Sequence, residues 1–406
     1  MTKVYHFNPT CEMAIGNGTC SYMPPKRLRS FERDIAPLMG FMGQADDILI
    51  TDEPTDPSFI SFWQQGGIDL PAFKPLTSLS EDAKTKYETI LPWGWSLAAH
   101  RILSPLKSYC QEPFKNSVLF DWQPAHRDFF SRLTSVQFIK SLSPLALHHN
   151  FIRIPGTHMV FRSQDMLKQW LGEQKQPVVI KTLWSSSGRG LFLIRNEDEK
   201  ENALKRAKKC IKQQGCVITE SWLNRIQDLS FQFNLHQDGS VEYLGINYFT
   251  ADAEGHFGQE YIGGLPEEKK AQWEKKLPAN WEEEAASMLK DALTQANLQQ
   301  YYEGPLGIDA MIFQTHEGET CLHPCIEINF RYNMGLVNMI ISQKLHPAAK
   351  GQWQITHFKP GEWQEFAQAQ LLKHPPVIKD GRYIKGFLPL VPVTADRLFG
   401  AYALLV

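Results

Sequence analysis

Apolar and polar positions alternate most regularly between residues 304 and 331, in two runs separated by Thr315-His316-Glu317-Gly318-Glu319-Thr320, a polar turn with a glycine. The pattern predicts a β-hairpin centred on Gly318, with Asp309 across from Glu327. Side chains alternate faces along a strand. Asp309, Glu327, Asn329 and Arg331 therefore share one face, and Ile308, Ala310, Ile326, Ile328 and Phe330 the other. Opposed Cβ atoms stand about 5 Å apart, and two carboxylates that close repel unless a cation lies between them. Hard oxygen ligands beside an amide suit Mg²⁺. The plainer alternative is an exposed hairpin face, and a one-residue slip would part the two acids.

Elsewhere strand and helix periods alternate. Val4-Tyr5-His6-Phe7 and Asp47-Ile48-Leu49-Ile50-Thr51 read as short strands. Strands among helical stretches make residues 1–124 a separate α/β region. Asn8-Pro9-Thr10-Cys11-Glu12 follows the first strand, where α/β sheets place ligands. Pro92-Trp93-Gly94-Trp95-Ser96 sets two tryptophans around a glycine; both stretches read most simply as a turn and a packing element. A helix is predicted over 128–141, with Arg132 near its start. Another follows Ser163, which can cap it, with Met166, Leu167, Trp170 and Leu171 on one face. Residues 231–235 and 241–245 form a second hairpin on His236-Gln237-Asp238-Gly239. The glycine-rich stretch 249–264 reads either as a mobile loop or as an irregular crossing. Trp281, Ala285, Met288, Leu289, Ala292 and Ala296 mark an amphipathic helix, with Glu282, Glu283 and Glu284 favourably placed in its first turn. Residues 351–406 carry a helix and two strand-like runs and no evident chemistry.

Composition narrows the class. The chain has 406 residues, enough for two or three domains, and is 43% hydrophobic and 21% charged. A net charge of −2 offers no bulk attraction to nucleic acid or an acidic membrane. No stretch of about 18 apolar residues predicts a membrane span, and the first residues enter a strand-like run without a signal-peptide core. Seven scattered cysteines fit a reducing cytoplasm. Cys321, His323 and Cys325 would suit zinc only if Pro324 makes a bulge, because alternate strand residues stand about 7 Å apart.

A second chemistry-bearing stretch precedes the hairpin. Residues 177–194 run from an apolar strand ending in Lys181, through a Ser/Gly loop, into a second apolar strand. Such a loop offers N–H groups and hydroxyls to phosphate oxygens. It opens no helix, so it is neither a Walker loop nor a dinucleotide fingerprint; strand–loop–strand reads as a flap. Lys181 could instead snorkel to solvent. Taken in order, Lys181, the loop Ser185-Ser186-Ser187-Gly188-Arg189-Gly190, the strand Cys216-Val217-Ile218-Thr219-Glu220, Gly307-x-Asp309 and Glu327-x-Asn329-x-Arg331 resemble the ATP-grasp superfamily.

The resemblance implies an α/β ATP-grasp fold over residues 125–406, whose small lobe (about 150–222) and large lobe (about 223–406) clasp ATP. A pre-ATP-grasp-like α/β domain, residues 1–124, would carry part of the acceptor pocket. ATP would be bound by Arg132, Lys181, Ser185, Ser186, Ser187 and Gly188. Arg132 stands where many family members have a lysine, so a planar fork replaces a point charge. Glu220, Trp222 and Leu223 mark the adenine end and Asp228 the ribose. Asp309, Glu327 and Asn329 would hold Mg²⁺, for which Mn²⁺ can substitute. Lys181, Arg189 and Arg331 are the catalytic candidates, Arg189 closing on the γ-phosphate and Arg331 holding the acceptor carboxylate. The implied activity joins a small-molecule carboxylate to an amine, or a thiol, through an acyl-phosphate. A kinase and a non-catalytic nucleotide-binding protein are the alternatives. No nucleic acid or membrane partner is expected, and a homo-oligomer is left open.

A flap of serines and glycines has little apolar anchorage and must open to admit ATP. Proteolysis after Arg189 is expected to fall several-fold in Mg–ATP or an analogue. Equal cleavage at saturating nucleotide would count against a flap.

Overall fold

Short apolar runs in the N-terminal region pair in parallel, because helices carry the chain back between them. The computed structural model describes residues 1–80, 86–155, 158–185, 188–255 and 257–406. Among these, β1 (Thr2–His6), β2 (Ile48–Ile50), β3 (Ala72–Lys74) and β4 (Tyr87–Pro92) form a parallel sheet in the order β3-β2-β1-β4. The strand order reverses between β1 and β4, which leaves a crevice beyond their carboxyl ends. Asn8 ties the two exits together: its Nδ2 donates to Gly94 O at 2.8 Å, and Gly94 N donates back to Oδ1 at 3.3 Å. Only glycine fits there, since a Cβ on Gly94 would stand 2.4 Å from Cys11 Sγ.

A second, antiparallel sheet contains β5 (Met159–Phe161), β6 (Val178–Thr182), β7 (Leu191–Ile194) and β8 (Val217–Ser221), in the order β5-β8-β6-β7. Helices Gln164–Glu173 and Glu197–Gln214 cover one face through Leu167, Leu171, Ala203 and Ala207. The other face, with Lys181 and Glu220, lines a cleft.

The third sheet holds β9 (Asn224–Leu235), β10 (Val241–Ala251), β11 (Phe257–Ile262), β12 (Gly304–Gln314), β13 (Thr320–Asn329), β14 (Gly351–His357), β15 (Val377–Lys379), β16 (Arg382–Pro389) and β17 (Phe399–Leu405). Its order is β13-β12-β9-β10-β11-β14-β17-β16-β15. Phe231, Phe233, Ile308 and Ile312 point into a core shared with helices Arg132–Ala146 and Trp281–Gln295. Full burial of each such side chain is worth about 1.5–3 kcal/mol. No helix among the described residues is long and apolar enough to cross a membrane.

Several expectations are corrected. The helix expected over 128–141 is two helices, Pro124–Phe129 and Arg132–Ala146. Ser131 separates them, its Oγ accepting from Leu133 N at 3.3 Å, which makes Arg132 the first residue of the second. Among its described residues, the stretch 249–264 is the end of β10, a turn at 253–254 and all of β11. In the C-terminal residues, whose chemistry the sequence left open, β14 to β17 extend the large sheet. In the hairpin, Asp309 pairs with Glu327 as expected, but Met311 pairs with His323, so Pro324, Cys325 and Ile326 stand opposite Ala310 alone. This bulge, at a proline that cannot donate to the ladder, sends Cys325 into the core. It also turns Ile326, expected on the core face, toward the cleft.

The N-terminal region and the C-terminal strands share a core. Trp63 is fully buried among Phe41, Tyr383 and Phe387, and its Nε1 donates to Pro389 O at 3.2 Å. Trp63→Ala is expected to lower stability by about 3–5 kcal/mol, measured by urea denaturation. A loss under about 1 kcal/mol would mean this contact does not help hold the chain together.

Candidate active site

The pairing of β12 with β13 places two half-buried acids together on the wall of the cavity. Asp309 and Glu327 are direct partners. Asn329 Nδ2 donates to Asp309 Oδ2 at 3.0 Å, and Arg331 Nη2 donates to Asn329 Oδ1 at 2.7 Å. Glu327 is gripped by the Arg132 fork, with Nε 2.9 Å from Oε1 and Nη2 3.1 Å from Oε2. The remaining Arg132 donors reach Thr182 O at 2.7 Å and Ser185 Oγ and O at 2.7 and 3.0 Å. One buried arginine thus joins the hairpin to the small sheet and to the start of the Ser/Gly loop.

A third carboxylate arrives from the N-terminal region. Glu12, in the helix Cys11–Asn17 just after β1, takes Arg331 Nε at 3.0 Å. Arg331 Nη1 donates to Tyr332 O at 3.0 Å. A guanidinium has five N–H donors, so two of Arg331's remain uncommitted. Two guanidiniums therefore face three carboxylates, Asp309, Glu327 and Glu12. Burial, and then the Glu327 charge, push the Asp309 carboxyl up to about 7. Burial also raises Glu12, against the opposing pull of Arg331. The excess negative charge and the hard oxygens fit Mg²⁺, which Asp309, Glu327 and the Asn329 amide oxygen could hold.

The same cavity, 1310 Å³ in volume, is lined by every other described candidate. Lys181 Nζ stands 2.5 Å from Glu220 Oε2, and His158 Nε2 lies 3.9 Å from Glu220 Oε1. Val179, Trp222, Leu223, Met311 and Ile326 supply apolar wall beside them. Asp228 pairs with Arg225 at 3.1 Å, yet burial still pushes its carboxyl up to about 6. Ser185, Gly188 and Arg189 line the cavity, while Ser186 and Ser187 lie outside the described residues. Arg189 and Arg27 both border it, and neither has an ion pair among the described residues. Burial and the nearby Arg27 charge lower the pKa of Arg189.

The zinc alternative fails on geometry. Cys325 lies in the apolar core while His323 borders the cavity, and no cluster of three or more His, Cys, Asp or Glu among the described residues is arranged to hold a metal. Two acids at the site escaped sequence reasoning as site residues. Glu12 had a signal, its place after the first strand. Glu260 had none beyond being a single acid in a glycine-rich stretch, yet it is buried and lines the cavity.

With Asp309 titrating at about 7, a divalent cation must displace its proton. The folded state holds that proton between about 4 and about 7, where the unfolded chain has released it. Without metal, this group's share of stability is therefore lost as pH rises through that window. Metal affinity changes in the other direction. Below about 7, each lower pH unit is expected to weaken Mn²⁺ binding up to about tenfold, and above it the dependence levels off. Electron paramagnetic resonance titration of Mn²⁺ with ADP present checks this; a flat profile would remove Asp309 from the ligand set.

Solved structures share this architecture. A biotin carboxylase–β,γ-ATP complex from Campylobacter jejuni superposes with a TM-score of 0.52 at 13% identity, over 100% of this chain and 87% of that one. The biotin carboxylase domain of Hydrogenobacter thermophilus 2-oxoglutarate carboxylase, solved with MgADP and bicarbonate, gives 0.51 at 15% identity, over 100% and 86%. No protein-family model and no curated protein matches the chain. At such identities the likeness concerns fold, and it agrees with the order of strands and motifs: the chain has the ATP-grasp fold, with an α/β region in front of it.

Proposed function

We propose that the protein is an ATP- and Mg²⁺-dependent ligase that joins a carboxylate to an amine through an acyl-phosphate, releasing ADP and phosphate. One observation carries the reading. Asp309 and Glu327 oppose each other in a cavity also lined by Lys181 and Glu220 of the small sheet and by Thr10 and Trp93 of the N-terminal region. The fold neighbours are carboxylases by name and were solved with ATP or ADP, which supports the nucleotide part by analogy.

In this reading Trp222 and Leu223 offer backbone groups to adenine and Asp228 meets the ribose. Lys181 and Arg132 take the phosphates, the Arg132 fork exchanging Glu327 for phosphate oxygens of similar geometry. Asp309, Glu327 and Asn329 hold Mg²⁺, which when bound neutralises charge on the phosphates. Arg331, aimed by Glu12 and the Tyr332 carbonyl, directs its two uncommitted N–H groups to the acceptor carboxylate. That carboxylate is already anionic and needs no base. Its oxygen attacks the γ-phosphorus, a P–O bond forms and the bond to the ADP oxygen breaks. The amine then displaces phosphate at the acyl carbon.

The test is a panel of amino acids and small carboxylates, with hydroxylamine as trap. A carboxylate-dependent hydroxamate with ADP and phosphate is expected. Glu327→Gln should lower this at least about 100-fold, with an unchanged circular dichroism spectrum. A phosphorylated product stable to hydroxylamine would replace the ligase by a kinase.

A further inference from the structure

The cavity contains a carboxylate that neither the metal site nor the acceptor arginine uses. Glu260 is 1% exposed and lines the cavity from β11. Its Oε2 accepts from Asn247 Nδ2 at 2.6 Å. Asn338 Nδ2 donates to Asn247 Oδ1 at 2.6 Å, and Trp353 Nε1 donates to Asn338 Oδ1 at 2.9 Å. An indole N–H can only donate. Asn338 must therefore turn its oxygen to Trp353 and its NH₂ to Asn247, and Asn247 must turn its NH₂ to Glu260. Every amide in the chain is oriented by the donor at its far end, and the orientation delivers a single N–H to a single carboxylate oxygen.

That arrangement leaves Glu260 incompletely served. Among the described residues, Oε1 accepts no hydrogen bond and no lysine, arginine or histidine pairs with Glu260. A buried carboxylate with one neutral donor is costly to keep. Its position explains where a partner would come from. Glu260 pairs in register with Trp353, which lies beneath the helix Met334–Lys344; Gly335 of that helix sits so close that a Cβ would be 3.0 Å from Asn247 Nδ2. Two and four residues beyond Trp353 on the same strand, Ile355 and His357 line the open cavity. Glu260 thus stands where the helix cover ends. Across the sheet, Asp309 pairs with Ser230, Ser230 with Asn247, and Phe249, two residues along β10, with Glu260, so Glu260 lies three strands from Asp309, about 14 Å measured across the strands. Both carboxylates line the same cavity.

We propose that Glu260 is the floor of an amine subsite: it receives the primary ammonium group of the second substrate and takes its proton. The chemistry rests on the ligase reading, whereas the subsite does not. The ammonium ion gives one proton to the Glu260 carboxylate, which becomes the acid. The freed nitrogen lone pair attacks the acyl carbon, a C–N bond forms, and the C–O bond to phosphate breaks with its electron pair on phosphate. The second nitrogen proton leaves with that phosphate. Burial, opposed by the Asn247 hydrogen bond, pushes the Glu260 carboxyl up to about 8, which narrows its distance from an ammonium ion and favours the transfer.

Ethylammonium chloride is the probe and tetramethylammonium chloride, which has no N–H, the control, both added to the full chain with MgADP. Ethylammonium is expected to raise the wild-type melting temperature by about 2 °C over the control, and the difference should vanish in Glu260→Gln. The same difference in the variant, or none in the wild type, would overturn the subsite. Should Glu260→Gln not fold, wild-type protein decides: dicyclohexylcarbodiimide, which adds to a protonated carboxyl in apolar surroundings, should label Glu260, and ethylammonium should suppress that label several-fold. Labelling indifferent to ethylammonium overturns the proposal. Binding through Glu260 with no hydroxamate from any carboxylate would leave the subsite and remove the ligase reading. Hydroxamate formation with no ethylammonium effect would do the reverse.

Discussion

The placement of Asp309 directly across from Glu327 is the constraint on which the site depends. Two carboxylates paired across buried strands repel, and the fold answers with guanidinium forks rather than with distance. Arg132 grips Glu327 and ties it to Thr182 and Ser185; Arg331 orients Asn329 and is itself held by Glu12. Removing one partner from such a buried pair typically costs about 3–5 kcal/mol, because it strands the other charge. The same network explains why the pieces of the site come from all three sheets. The small sheet supplies the acceptors that hold Arg132, the large sheet the acids, and the N-terminal region the carboxylate that aims Arg331.

The charge balance of the cavity follows the same pattern. Lys181 faces Glu220 and Arg132 faces Glu327, so these two cations of the cavity each stand on a carboxylate. Arg189 and Arg27 differ from this pattern, lining the cavity without an anion among the described residues. Trp63, Tyr383 and Phe387 lock the N-terminal region to the C-terminal strands, and Phe231, Phe233 and Ile308 hold the large sheet to its helices.

The hairpin itself was legible because side chains alternate with a period of two and the turn at 315–320 is polar. Its register was not: near the turn Gln314 pairs with Thr320 and Phe313 with Cys321, one position off a hairpin centred on Gly318, and only the bulge at 324–326 brings Glu327 opposite Asp309. Lys181, the described loop residues Ser185, Gly188 and Arg189, and the acids after them were legible as an ordered set, and they line one cavity. The bulge at Pro324 was only half legible: the proline announced an irregularity but not that Cys325 would turn inward and Ile326 outward. Strand character in 249–264 was hidden by its glycines, whose β preference is poor in isolation, while hydrogen bonds from β10 and β14 on either side decide it.

What the sequence determined by itself is what depends on neighbours along the chain: alternation, turns, caps and the order of motifs that mark the fold. What only the tertiary structure decided is every relation across the chain. Glu12 and Arg331 are 319 residues apart and share one ion pair. Arg132 was expected at phosphate and is found on Glu327, since a buried carboxylate without a cation is the costlier arrangement. Glu260 gained its meaning only from Asn247, Asn338 and Trp353, residues whose donors line up because separate strands and a helix bring them within hydrogen-bonding distance. Hydrogen bonds and ion pairs of this kind act over about 3 Å, and sequence separation carries no information about that distance.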